Sequence, residues 1–161
     1  MSAGSVQAKS ALEQTLSDGN FRMKESEALV RHLLSIGGTG MFSDQIYNDP
    51  DCSLILGEGK TFLPFPKLLI KMEGNHCHWN IATLYEKAIV TEIVIGYALS
   101  IHGLWFQHTW GMQQDTIVET TTINSSNIRV YFGAVLNNPK SFVECCAQNP
   151  PGSGKVRRLQ N

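Results

Sequence analysis

The sequence predicts one α+β domain, and three observations lead to this prediction. The chain has 161 residues, which is a typical length for one domain and enough to bury one hydrophobic core. Apolar residues recur at helical spacing near the N-terminus and again just before the middle of the chain. The second half then changes to runs rich in Val, Ile and aromatic residues, separated by turn residues. Helices followed by a run of strands are typical of the α+β class.

Composition and charge exclude several functional classes. Hydrophobic residues make up 42% of the chain and charged residues 17%, with a net charge of −1, so we expect neither nucleic acid nor a membrane surface as a partner. The first 30 residues contain no apolar signal segment, and no apolar run approaches the roughly 20 residues that a membrane helix needs. We therefore expect a cytoplasmic protein. Delivery into a host cell by a route not readable from sequence would leave the same pattern.

The first half is expected to contain one clear helix and a long irregular stretch. Residues 19–36 place their apolar side chains on one broad face, and Gly37 and Gly38 end this helix. Residues 37–66 are rich in Gly, Pro and Asp and are expected to be irregular, with one short strand at residues 53–56. Residues 67–72 fit either a strand or one turn of helix.

The second half is expected to hold a helix and then an antiparallel meander. The helix covers residues 78–88. Three strands follow, over residues 89–99, 104–110 and 116–122. A turn at residues 124–127 precedes residues 128–135, which form a fourth strand or a short helix.

Three residues between positions 77 and 119 could form a thiol-based catalytic site. Cys77 precedes the predicted helix, where backbone N–H groups and the helix dipole lower the pKa of a thiol and can hold an oxyanion. His108 shares a strand face with Leu104 and Phe106, and Glu119 lies in the next strand. A buried glutamate needs a partner, and pairing with the imidazole would turn the other ring nitrogen towards the thiol. The pattern predicts a nucleophile, a base and an orienting carboxylate.

This arrangement resembles the papain-like cysteine enzyme superfamily in its transglutaminase-like form. In that superfamily a Cys at a helix start is followed by a His with a Trp two residues later, and then by an acidic residue with a Thr after it. The matching residues here are Cys77, His108, Trp110, Glu119 and Thr120. The resemblance covers roughly residues 74–135. The third member is usually Asp or Asn, so Glu119 is one methylene longer than the pattern.

The resemblance implies both a fold and an activity. The fold would be a papain-like α+β domain over residues 1–148, with an N-terminal helical region and a flexible tail at residues 149–161. Its catalytic core, about residues 67–136, would pack the nucleophile helix on a small antiparallel sheet. The activity would be hydrolysis or acyl transfer on an amide through a thioester, of peptidase or glutamine deamidase type. We expect a protein or peptide substrate, or a small amide, and no cofactor.

Four further residues are candidates for contact with the substrate or the oxyanion. The upstream Gln that some members use in the oxyanion hole is missing at close range, so Asn75 or a backbone amide would replace it. His78 and Trp79 follow the nucleophile and could line the cleft. Trp110 could line it too, although it is also placed to shield the His–Glu pair from water.

Two other functions fit parts of the sequence. The same fold could serve as a catalytically inactive interaction protein. His76, Cys77 and His78, with His102 or His108, could instead bind zinc, but adjacent residues seldom all reach one tetrahedral ion, so we expect no metal. The remaining cysteines, Cys52, Cys145 and Cys146, are expected to be free thiols, because the chain has no secretion signal.

Overall fold

The computed structural model describes residues 21–121 and 127–151, and these form a mixed α+β structure. The four helices in this part of the chain are α1 (21–36), α2 (Cys52–Glu58), α3 (Cys77–Glu86) and α4 (Pro139–Gln148). A 3-10 helix covers Asp44–Asn48. None of the described helices combines the length and hydrophobicity that a membrane crossing requires.

One seven-stranded sheet organises the described residues. Its strands are β1 (Gly40–Met41), β2 (Lys60–Phe62), β3 (Lys67–Leu69), β4 (Glu92–Ser100), β5 (Leu104–Gln113), β6 (Thr116–Glu119) and β7 (Ile128–Val135). The strand order is β2-β7-β4-β5-β6-β3, and β1 pairs with β5 in parallel. The α+β class predicted from the sequence is therefore confirmed.

The two main predicted helices are present. α1 is described from residue 21, because residues 1–20 lie outside the described part of the chain. It ends as predicted: the N–H of Gly37 donates to Leu33 O at 3.2 Å, and Gly38 has φ +87°. A side chain at Gly38 would be strained in that left-handed conformation. α3 begins at Cys77, one residue before the predicted start.

Two helices depart from the prediction. The strand expected at residues 53–56 is wrong, because these residues lie in α2. Cys52 and Ile55 are its buried residues, a helical spacing that the short run at residues 53–56 does not reveal. α4 was not predicted at all. Its start carries a recognisable signal, since Asn138 accepts a hydrogen bond from Ser141 N and Pro139 opens the first turn.

The predicted meander is correct for three strands. β4, β5 and β6 pair antiparallel in chain order. β7 is a strand, but it pairs with β4 on the side away from β5 instead of following β6. Residues 67–72 contribute the strand β3, which runs parallel to β6. The predicted turn at residues 124–127 and the predicted tail lie largely outside the described residues.

The sheet has to be strongly curved, because its two outer strands are joined by a short segment. β2 and β3 lie at opposite ends of the strand order, yet only residues 63–66 connect them. That connection spans at most about 18 Å, whereas a flat sheet would separate the two edges by about 24 Å. Phe62 in β2 and Trp110 in β5 meet edge to face at 5.4 Å across the concave side.

The core is divided between the two faces of this sheet. Leu29 of α1, Ile81 of α3 and Phe142 of α4 are buried with Trp105 on the helix-covered face. Trp110, Tyr131 and other side chains form a second cluster on the opposite, concave face. Because side chains along β5 alternate between the two faces of the sheet, His108 points towards the concave cluster, on the same face as Phe106, as the strand pattern predicted.

Candidate active site

A sharp turn places Cys77 at the first residue of α3. Gly74 and Asn75 form the turn, and Asn75 has a left-handed φ of 61°. The first bond of the helix runs from Asn80 N to His76 O at 2.9 Å. The N–H groups of Cys77 and the next two residues therefore have no partner inside the helix. This is the local setting predicted for a thiol nucleophile.

His108 and Glu119 meet on the concave face. Nε2 of His108 lies 2.8 Å from Oε2 and 3.0 Å from Oε1 of Glu119. His108 is 3% exposed and Glu119 is fully buried. β5 and β6 are adjacent antiparallel strands, so two residues separated by 11 positions in the chain reach each other. The predicted pairing of the base with a carboxylate is thus present in the structure.

Glu119 is held as an anion by several further donors. Its Oε1 accepts from Thr120 N at 2.9 Å, and from Thr121 through N at 3.2 Å and Oγ1 at 3.0 Å. Oε2 accepts from the hydroxyl of Tyr131 at 3.2 Å. Burial alone would raise the pKa of Glu119, but the charge and hydrogen bond of His108 and these N–H groups lower it to about 2.

The thiol of Cys77 is coupled to the other side of the same imidazole. Because Nε2 of His108 is engaged by Glu119, Nδ1 is the ring nitrogen left for the thiol. Burial would raise the pKa of Cys77, but the hydrogen bond and charge of His108, with a backbone hydrogen bond from Thr109, lower it below its ordinary value. Burial likewise opposes the charge on His108, yet Glu119 and Cys77 raise the pKa of His108 to about 10. The geometry therefore favours a thiolate–imidazolium pair.

Aromatic rings enclose the imidazole of His108. The ring centroid of Trp110 lies 6.3 Å away and that of Tyr131 6.2 Å away, both nearly parallel to the imidazole, and Phe106 lies 5.6 Å away at a tilt. Trp110 is fully buried, so it lies behind the His–Glu pair and not at the surface. The rings exclude water from the charged pair, which strengthens its electrostatic interaction.

The other predicted site residues occupy different positions around Cys77. Asn75 is exposed in the turn before α3. His78 is half-buried, and its Nδ1 is hydrogen-bonded to Oγ1 of Thr109, the residue whose backbone binds the Cys77 sulfur. Trp79 is 39% exposed in the first turn of α3. Asn75 and Trp79 are thus exposed residues close to Cys77 in the chain, whereas His78 contacts β5 through Thr109.

The side chains of the proposed zinc cluster do not converge. Cys77 is directed to His108, and His78 to Thr109. Among the described residues, no three His, Cys, Asp or Glu side chains are arranged to hold a metal ion. None of the four cysteines forms a disulfide. Cys52 is buried in the core, where desolvation raises the pKa of its thiol to about 11.

Sequence reasoning missed three supporting residues. None of Thr109, Thr121 and Tyr131 was assigned a role from the sequence. The role of Thr121 was recognisable from the sequence, because a threonine two positions after a carboxylate can donate to it through both its N–H and its hydroxyl. Tyr131 gives no such signal, because its contact with Glu119 depends on the curvature of the sheet.

Cys77, His108 and Glu119 form one hydrogen-bonded chain where the start of α3 meets the strands β5 and β6. This chain links Cys77, a half-buried residue, to the fully buried Glu119. Comparisons of the protein with protein-family models, with curated proteins and with solved structures found no match.

Proposed function

We propose that the protein is a papain-like cysteine hydrolase or acyltransferase that acts on an amide through a thioester intermediate. The observation that carries this proposal is the chain of hydrogen bonds from Cys77 through His108 to Glu119. Two of its features support catalysis over a purely structural role. The pKa of the thiol is lowered, and Cys77 is a half-buried residue while its partners are enclosed.

The reaction follows from the protonation states of the pair. The thiolate of Cys77 attacks the carbonyl carbon of the amide and forms a carbon–sulfur bond, while the carbonyl oxygen takes the negative charge. Collapse of this intermediate breaks the carbon–nitrogen bond, and the imidazolium of His108 donates its proton to the departing nitrogen. Water or an amine then attacks the thioester and gives its proton to His108, and the thiolate leaves.

Groups around the thiol can assist both steps. The N–H of Cys77, the first residue of α3, has no partner inside the helix and can donate to the developing oxyanion. Asn75 is exposed two positions earlier and can add a side-chain donor. Trp79 offers a half-exposed indole for the substrate. A protein or peptide amide, or the side-chain amide of glutamine, fits this chemistry, which requires no cofactor.

Alkylation with iodoacetamide tests the proposal on the full chain. At pH 6–7, mass spectrometry should find Cys77 modified much faster than Cys52, Cys145 and Cys146, because the imidazolium of His108 lowers the pKa of Cys77. A His108→Gln variant should lose this preference. Slow modification of Cys77, at the rate of the other thiols, would contradict the proposal and leave the inactive interaction protein as the better interpretation.

A second assay identifies the type of amide. Incubation with an unstructured protein substrate should release either ammonia or new N-termini, and Cys77→Ser should abolish the release. Ammonia without new N-termini indicates a glutamine deamidase, and new N-termini indicate a peptidase. Release of neither product, from protein or from small amides, would count against amide chemistry.

A further inference from the structure

Asn80 is a fully buried polar residue one turn beyond the proposed nucleophile. It lies three residues after Cys77 in α3, so it faces the same side of the helix. Its Nδ2 donates to Glu73 O at 2.7 Å and reaches Oγ1 of Thr120 at 3.5 Å. The side-chain amide of Asn80 therefore links α3, which carries Cys77, to two other segments: the residues that lead into α3 and the end of β6.

The first contact closes the turn that delivers Cys77 to its position. Glu73 and Asn80 bracket the turn at Gly74 and Asn75, and the backbone of Asn75 is left-handed. Few residues other than glycine adopt the left-handed conformation, although asparagine does so more readily than most, and a contact across the turn helps to fix it. The bond from Asn80 to Glu73 is such a contact.

The second contact reaches the residue next to the carboxylate. Oγ1 of Thr120 accepts a hydrogen bond from Nδ2 of Asn80, and the N–H of Thr120 donates to Oε1 of Glu119. The carbonyl of Thr120 also accepts from Met72 N at 3.2 Å. Asn80 thus ties the helix carrying Cys77 to the same backbone that fixes Glu119, and Glu119 in turn orients His108.

A purely structural role does not account for an amide at this position. Oδ1 of Asn80 is buried and has no hydrogen-bond partner in the described part of the chain. Burying an unpaired acceptor costs free energy, whereas a leucine of similar size would fill the space without that cost. The amide is favoured where its directional bonds matter more than stability.

We infer that Asn80 is a positioning residue for the proposed reaction: it seats the start of α3 against the end of β6, so that Cys77 stays in hydrogen-bonding contact with His108. The inference rests on the proposed function. Asn80 acts through Cys77 and does not touch the reacting atoms. Its loss should therefore change the ionisation of the thiol as well as the stability of the fold.

The test is the pH dependence of Cys77 alkylation in Asn80→Leu, which keeps the side-chain size and removes both hydrogen bonds. We expect the rate at pH 6 to fall about tenfold as the thiol pKa moves back towards that of a free cysteine. Asn80→Ala gives a second variant without the branched side chain. Circular dichroism confirms that each variant is folded before labelling.

A core truncation on the same helix separates positioning from stability. Ile81 is fully buried beside Asn80 and faces the hydrophobic cluster. Ile81→Ala should lower the melting temperature at least as much as Asn80→Leu, yet keep the wild-type pH profile of Cys77. If a folded Asn80 variant kept the wild-type pH profile of Cys77 alkylation, this inference would be overturned but the proposed function would not. An ordinary thiol profile in the wild-type protein would instead overturn the proposed function.

Discussion

His108 and Glu119 form a buried contact in which one ring nitrogen faces both carboxylate oxygens, at 2.8 and 3.0 Å. Glu119 is also held by backbone and hydroxyl donors, so it cannot turn away from the imidazole without leaving them unpaired. The contact fixes a proton on Nε2 and presents Nδ1 to Cys77. Reactivity of the thiol should consequently depend on a carboxylate that it does not contact.

Glu119→Gln tests this dependence, since it keeps the shape and removes the charge. Without the carboxylate, burial of His108 dominates and its pKa should fall below about 10. Cys77 then loses its imidazolium partner, and its alkylation rate at pH 6 should drop about tenfold or more. Glu86→Gln removes an exposed charge at the end of α3 and is the matched control. Equal rates in both variants would show that Glu119 does not act on the thiol.

The same carboxylate should make stability depend on acid pH. The pKa of Glu119 is about 2 in the folded protein and 4.5 ordinarily, so its contribution is complete above pH 4.5 and is lost as the pH falls towards 2. The shift corresponds to about 3 kcal/mol of unfolding free energy. Urea denaturation should find that the unfolding free energy of the wild type exceeds that of Glu119→Gln above pH 4.5, and that this difference shrinks below pH 4.5. A difference that stays constant from pH 6 to pH 3 would contradict the assignment.

Tyr131→Phe removes one of the donors that hold Glu119. Loss of a hydrogen bond to a charged group should cost about 1.5–3 kcal/mol of unfolding free energy. The thiol should also become less reactive at pH 6, though less than in Glu119→Gln, because the Thr120 and Thr121 donors remain. Tyr97→Phe is the control, as its hydroxyl donates at 2.6 Å to Asp49 on the other face of the sheet. Tyr97→Phe should lower the unfolding free energy without changing the pH dependence of Cys77 alkylation.

The local patterns around the site were informative because each catalytic candidate lies in a distinctive setting. A glycine-containing turn before an amphipathic segment predicted the start of α3 at Cys77 within one residue. Alternation in β5 predicted which face carries His108, and burial of a carboxylate predicted that Glu119 needs this histidine. These features depend on neighbours within a few positions in the chain, where sequence patterns are most reliable.

The long-range features could not be predicted in this way. Nothing local in β7 indicates that it pairs with β4 and not with β6. Four apolar residues in α2 suit either a strand or a helix, and tertiary packing decided the outcome. The contact of Tyr131 with Glu119 follows from the curvature of the sheet, which the short link between β2 and β3 imposes.

Gly133 should be essential for the packing behind the site. A Cβ there would lie 2.4 Å from Ile95 O and 2.7 Å from the indole of Trp110, so neither the backbone nor the ring could make room without moving. Gly133→Ala should cost about 1–3 kcal/mol of unfolding free energy and, by displacing Trp110 from His108, slow the alkylation of Cys77. Gly57→Ala in α2 is the control, because its Cβ would meet nothing within 4 Å. That substitution should stabilise the helix by about 0.5–1 kcal/mol. Urea denaturation of both variants checks the two signs, and an unchanged unfolding free energy for Gly133→Ala would contradict the close packing of Trp110 on β7.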